Sequence, residues 1–125
     1  MAQLEHINLT VADPQGMAEM LGHVFGWTVR WEGAVMNGQG YTMHVGTAQT
    51  YLALFSANQG RDAPQVGRAA GFNHIGVVVD DLDATEARVK ALGYRPYNHA
   101  DYEPGRRFYF TESNGVEIEV ISYSR

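Results

Sequence analysis

The chain has 125 residues, 45% of them apolar and 18% charged, a net charge of −5 and no cysteine. That balance belongs to one globular domain able to remove roughly two-thirds of its unfolded surface from water. It excludes disulfides and thiolate chemistry, and the lack of any Lys/Arg run speaks against nucleic acid and anionic membranes as partners. No basic start with a long apolar stretch follows the first Met, and no apolar run reaches the ~20 residues that span a bilayer. A cytoplasmic protein with no membrane partner is expected.

In chain order, "LEHINLTVAD" at 4–13 reads as a strand, and it is written again as "FNHIGVVVDD" at 72–81. Each copy has His at its third position and ends in Val-x-Asp. A helix follows each. The first puts Met17, Met20, Leu21, Val24 and Phe25 on one stripe. The second puts Leu82, Val89 and Leu92 on a narrower one. Both stop at glycine plus an aromatic, Gly26-Trp27 and Gly93-Tyr94. The offset is 68 residues at His6/His74 and 67 at Gly26/Gly93, so a single gap aligns the halves.

Strands complete each half. Asn37-Gly38 predicts a hairpin between 28–36 and 41–45, and "TYLALF" at 50–55 predicts a third strand. In the second half Arg95–Tyr97 is a short strand before a loop holding Pro104-Gly105. "RFYFT" and "VEIEVI" follow, joined by Asn114-Gly115. The stretch 56–71 is rich in Gly, Ala and polar residues and reads as a linker between modules 1–55 and 72–125. The expected fold class is α+β: two βαβββ modules forming a curved eight-stranded mixed sheet around a cavity.

Alternation sorts the faces. Ile7, Leu9 and Val11, then Ile75, Val77 and Val79, form aliphatic rows suited to the helices, and His6 and His74 point the other way. Val116, Ile118 and Val120 also face a helix, leaving Glu117 and Glu119 on the histidine side. In "TYLALF", Leu52 and Leu54 go to the helix, and Tyr51, Ala53 and Phe55 do not. Two imidazoles and one carboxylate make a facial triad with open positions for water or substrate. The plainer alternative is hydrogen-bonded strand histidines beside a solvated acidic edge.

The paired βαβββ pattern and the "FYFTESNGVEIEV" ending resemble the vicinal oxygen chelate superfamily, which includes glyoxalase I, extradiol dioxygenases, fosfomycin resistance enzymes and bleomycin resistance proteins. The resemblance covers nearly the whole chain outside 56–71. It implies one divalent metal ion (Fe, Mn, Ni or Zn) on His6, His74 and Glu119, a small-molecule substrate and a homodimer. A fourth metal position falls on Ala53, which has no donor atom. That departs from glyoxalase I and places dioxygenase-like chemistry slightly ahead of a glyoxalase-like lyase or isomerase. The extradiol pattern is matched at Phe108-Tyr109, Glu112, Gly115 and Glu119, with Ser113 where a Pro is usual. A metal-free binding protein of the bleomycin resistance type is the third alternative.

Supporting roles are open in the sequence. Tyr109 could hydrogen-bond a bound substrate or serve as acid or base, or be a core aromatic. His99 could be a base or a surface loop residue. His44 could line the cavity, with packing or surface the favoured reading, and His23 reads as solvent-exposed. Arg106 and Arg107, like Arg61 and Arg68, could hold a carboxylate or lie on a solvated turn.

Overall fold

The computed structural model describes residues 4–35, 38–57, 74–102 and 105–123. Asn37, Arg61, Arg68, Phe72, Pro104 and nearly all of the expected linker lie outside them. The chain divides into two compact units, Met1–Val66 and Gly67–Arg125.

The first unit runs β1 (His6–Thr10), α1 (Pro14–Phe25), β2 (Thr28–Val35), β3 (Gly40–Gly46) and β4 (Tyr51–Ala57). The second repeats it as β5 (Ile75–Val78), α2 (Leu82–Ala91), β6 (Tyr97–Tyr102), β7 (Gly105–Thr111) and β8 (Glu117–Ser122). The eight strands are dealt into two sheets of four, ordered β1-β4-β3-β2 and β5-β8-β7-β6. Within each, the first strand pairs parallel with the last and the other neighbours pair antiparallel. The fold is α+β, with one βαβββ motif per unit.

The repeated Val-x-Asp ending has a local cause. Asp13 and Asp81 are N-caps, and each carboxylate accepts a hydrogen bond from a backbone N–H of the first turn, Gly16 and Ala84, at 3.0 Å. The glycines after the helices adopt the left-handed backbone expected of a stop signal, Gly26 at φ 76° and Gly93 at φ 93°. On α1, Met17, Met20, Leu21 and Val24 are buried as the stripe predicted. On α2 the stripe is Leu82, Thr85 and Val89, whereas Leu92 is the C-cap and 40% exposed. Alternation holds along β4, β5 and β8: Leu52, Leu54, Ile75, Val77, Ile118 and Val120 are buried, as is Val116 just before β8. Ile7, assigned to the same row as Leu9 and Val11, is instead 38% exposed.

Two strand expectations are corrected. β4 runs to Ala57, into the stretch read as linker. β6 covers Tyr97–Tyr102, so His99 lies on a strand rather than in a loop. The register changes inside β6: Tyr97 faces Tyr109, but Ala100 faces Arg107, leaving one extra residue on β6. That is a β-bulge. It is accommodated by Asn98 at φ 54°, a conformation asparagine tolerates better than most side chains.

The β7–β8 turn is held by a buried acid. Glu112 is 2% exposed, and its carboxylate accepts from Asn114 N at 2.8 Å, Asn114 Nδ2 at 3.0 Å and Val116 N at 3.2 Å. Gly115 takes φ 87° and donates its N–H to Glu112 O at 2.8 Å. Glu112→Ala strands two backbone donors and should cost about 3 kcal/mol in urea unfolding. A loss below about 0.5 kcal/mol contradicts this role.

Candidate functional site

In the first unit, the sheet face opposite α1 carries a run of rings. His6 stacks on Tyr51 with centroids 5.0 Å apart, Tyr51 on His44 at 4.5 Å, and His44 lies 5.3 Å from Trp31. The registers put them there: His6 pairs with Tyr51, and His44 with Ala53 and Trp31. A bulge between Val29 and Trp31 supplies the extra residue Arg30, whose guanidinium lies 4.3 Å over the Tyr51 ring. His6 Nδ1 contacts Glu5 Oε1 at 2.5 Å, so Nε2 is the nitrogen that remains for another partner. The Glu5 carboxyl is held below its usual range, first by that hydrogen bond. Ala53 is buried on the same face and offers no donor.

His44, for which the sequence leaves cavity lining or packing open, is a member of this ring run. Burial first, then the charges of His6 and Arg30, hold its pKa below the usual 6.5. The unfolded chain therefore takes that proton more readily than the folded chain. The stabilising difference is complete above pH ~6.5 and is lost as pH falls through the lower folded value. Wild-type Tm should drop across this window more steeply than that of His44→Gln. Equal slopes contradict the assignment.

In the second unit, the corresponding face is acidic and phenolic. His74 Nε2 lies 3.0 Å from Glu119 Oε1. The other carboxylate oxygen, Oε2, accepts from Arg107 Nη1 at 2.8 Å. Arg107 is fixed in turn: Nη2 donates to Tyr102 O at 2.6 Å and Gly105 O at 3.2 Å, and the guanidinium stacks 3.6 Å from the Tyr102 ring. Of the two carboxylates left open by alternation, Glu119 reaches His74. Glu117 accepts instead from Tyr97 Oη at 2.8 Å. Tyr109 pairs with Glu119 across β7–β8 and meets His74 edge-on at 5.7 Å. Its hydroxyl pKa is pushed up to about 12, by burial first, then by its bond to Tyr102 and the Glu119 charge. At neutral pH it is a proton donor, not a base.

His99 does not join this group. The β6 bulge inverts the alternation after Tyr97, so His99 turns to the helix side. There Nε2 lies 2.7 Å from Glu86 Oε2 of α2, and the ring stacks on buried Phe108 at 5.9 Å. Arg106 stays at the surface beside Asp83, at 3.4 Å. Arg107, read as part of a solvated turn, is 7% exposed and is the residue the sequence reasoning undervalued. The signal was present: it sits two residues before Tyr109 on one strand and shares that residue's face.

Within either unit taken by itself, the described residues include no group of three or more His, Asp or Glu side chains gathered to hold a metal ion. The candidate ligands fall on both units, His6 on one and His74 with Glu119 on the other. The second-unit pair suits an ion: two donors each ~2.1 Å from a metal and at right angles lie about 3 Å apart. The donor set of imidazole nitrogen and carboxylate oxygen suits Fe, Mn, Ni or Zn.

Comparison with known proteins agrees with the architecture. Residues 3–120 match the model of the Glyoxalase/Bleomycin resistance protein/Dioxygenase superfamily, and the chain belongs to that family. A glyoxylase/bleomycin resistance protein/dioxygenase domain from Frankia sp. EAN1pec shares the fold with a TM-score of 0.81, at 16% identity over 98% of both chains. Glyoxalase I of Leishmania major gives 0.79, at 16% identity over 98% of this chain and 88% of that one. The fosfomycin resistance protein FosX of Listeria monocytogenes, as its E126Q mutant complexed with Mn(II), gives 0.76, at 18% identity over 97% and 92%. These likenesses establish fold. Ribonuclease VapC42 of Mycobacterium tuberculosis is 34% identical over 62 residues, and that match spans about half of either chain, 48% of this one and 47% of the relative. Among the described residues no helix is long and apolar enough to cross a membrane.

Proposed function

We propose that the protein is a metal-dependent enzyme acting on a small oxygenated molecule chelated through vicinal oxygens. His6, His74 and Glu119 hold one divalent ion. The observation that carries this reading is the 3.0 Å approach of His74 Nε2 to Glu119 Oε1 beside a protonated Tyr109. The Mn(II) in the FosX structure of like fold supports a divalent ion. Such an ion supplies Lewis acidity toward the two substrate oxygens and, if it is redox-active, the means to use dioxygen.

The chain's own residues do the rest. Arg107 holds Oε2 of Glu119, so that Oε1 is the oxygen presented on the His74 side. Tyr109 donates a hydrogen bond to an oxygen gaining negative charge. The ring run of His6, Tyr51, His44 and Trp31 offers flat apolar surface for the body of a substrate. Ala53 leaves the fourth position without a donor, so ring cleavage of the dioxygenase type stands slightly ahead of glyoxalase-like proton transfer. The experiment is turnover of catechols and of α-hydroxycarbonyl compounds under Fe(II), Mn(II), Ni(II) and Zn(II), with and without chelator. Tyr109→Phe should lower kcat by about a hundredfold while leaving metal binding unchanged. Full activity in that variant contradicts its role.

One observation favours a second reading, a metal-free binding protein of the bleomycin resistance type. Arg107 already neutralises Glu119, which lessens the attraction of that carboxylate for a cation. This reading expects ligand binding indifferent to chelators and no turnover with any metal.

A further inference from the structure

On the site face of the second unit, one residue of the edge strand holds Arg107 in two ways. Arg107 Nη2 donates to Tyr102 O at 2.6 Å, and its Cζ lies 3.6 Å from the Tyr102 ring centroid. Tyr102 is 50% exposed and Arg107 only 7%, so the ring has one side in water and the other on the cation. The bulge in β6 brings the ring there. Tyr97 faces Tyr109, and plain alternation from Tyr97 carries Asp101 to the site face. The extra residue beside Asn98 shifts the count by one, so Ala100 and Tyr102 take that face and Asp101 pairs with Arg106 on the other. A carboxylate beside Arg107 would contest Glu119 for the guanidinium. A ring attracts the cation without bringing a rival charge.

The duplication supplies an internal comparison. Val35 stands opposite Gly40 as Tyr102 stands opposite Gly105. Two residues further on, Thr42 takes the place of Arg107, and Ala53 opposite His44 takes the place of Glu119 opposite Tyr109. Ring, guanidinium and carboxylate are replaced together. We propose that Tyr102 is a positioning residue of the second unit's site: its ring seats the Arg107 guanidinium and so fixes which Glu119 oxygen is turned to His74. With Nη2 on two carbonyls and one face on the ring, the planar fork has one direction left for Nη1, toward Glu119 Oε2 at 2.8 Å. Oε1 is then the oxygen 3.0 Å from His74 Nε2. The consequence for metal affinity rests on the proposed function; the seat itself does not.

The test compares Tyr102→Leu, which removes the ring, with Tyr102→Phe, which keeps it and drops the hydroxyl bond to Tyr109. Tyr102 is half exposed, so both variants should fold. A proton over a ring face is shielded. In spectra of the ¹⁵N-labelled full chain, the Arg107 Nε–H proton should therefore move downfield in Tyr102→Leu and stay in place in Tyr102→Phe. Urea unfolding of Tyr102→Leu, Glu119→Gln and the double variant should be non-additive by about fivefold in the unfolding equilibrium constant, because Arg107 links the two positions. A role in local packing alone gives additive effects. In Tyr102→Leu, Arg107 keeps its charge and its two backbone acceptors but loses its seat, so Mn(II) affinity should fall about tenfold. Tyr102→Phe should bind Mn(II) as wild type does. An Arg107 resonance unmoved in Tyr102→Leu, additive unfolding effects, or a Tyr102→Phe variant as defective as Tyr102→Leu overturns the proposal. So does Mn(II) held as tightly by Tyr102→Leu as by a wild type that binds it. Wild type that binds no Mn(II) ends the metal reading instead, and the resonance and the unfolding cycle then decide the seat.

Discussion

Arg107→Met should lower the unfolding free energy by about 3–5 kcal/mol at neutral pH. The pair it breaks is buried, with Arg107 and Glu119 side chains 7% and 12% exposed and 2.8 Å between Nη1 and Oε2. Removing the cation leaves a carboxylate inside with its charge uncompensated, and that desolvation cost outweighs the packing a methionine restores. The same substitution strips the donors that Tyr102 O and Gly105 O accept from. The double variant Arg107→Met with Glu119→Leu removes both charges and should recover most of the loss. Guanidinium unfolding of the two single variants and the double gives the coupling directly. If the single substitution costs less than 1 kcal/mol, the ion pair is not an organising element of this face.

His74→Ala should leave the fold standing and remove metal affinity. The side chain is half-buried just before β5, and the packing of that strand comes from Ile75 and Val77 on the other face. Stability should therefore change by less than about 1 kcal/mol. Loss of one of three protein ligands should weaken metal binding by at least a hundredfold, beyond the 10–100-fold typical of outer-shell changes. In a metal-free binding protein, the same substitution removes one contact, worth about 1 kcal/mol of ligand affinity. Calorimetric titration of wild type and variant with Mn(II) and Zn(II) separates the cases. Equal metal affinity in both proteins contradicts the ligand role of His74.

Much of the fold could be read from the chain because its signals are local and written twice. Asp13 and Asp81 close the first turn of each helix, Gly26 and Gly93 end them, and Gly115 makes the last turn. Strand alternation separated Ile118 and Val120 from Glu119 with no knowledge of pairing. What escaped depends on register between strands. The β6 bulge at Asn98 sends His99 to the helix side, and nothing in "YNHADY" distinguishes that from plain alternation. The bulge at Arg30 likewise brings Arg30 to Tyr51 on the face that Trp31 and His44 share. For Arg107 the Pro-Gly turn before it favours a solvated side chain, because a long charged group after such a turn usually stays in water. Its burial comes from contacts with Glu119 and Tyr102 that local sequence cannot report.

The proposed function rests on one divalent ion held by His6, His74 and Glu119. Its most direct test is metal titration of untagged protein, with chelator-stripped wild type compared with His6→Ala and Glu119→Gln. Wild type should bind one equivalent of Fe(II), Mn(II), Ni(II) or Zn(II) and release it to chelator, and both variants should have sharply reduced affinity. Wild type that binds no stoichiometric ion, or variants that bind as well as wild type, would contradict it.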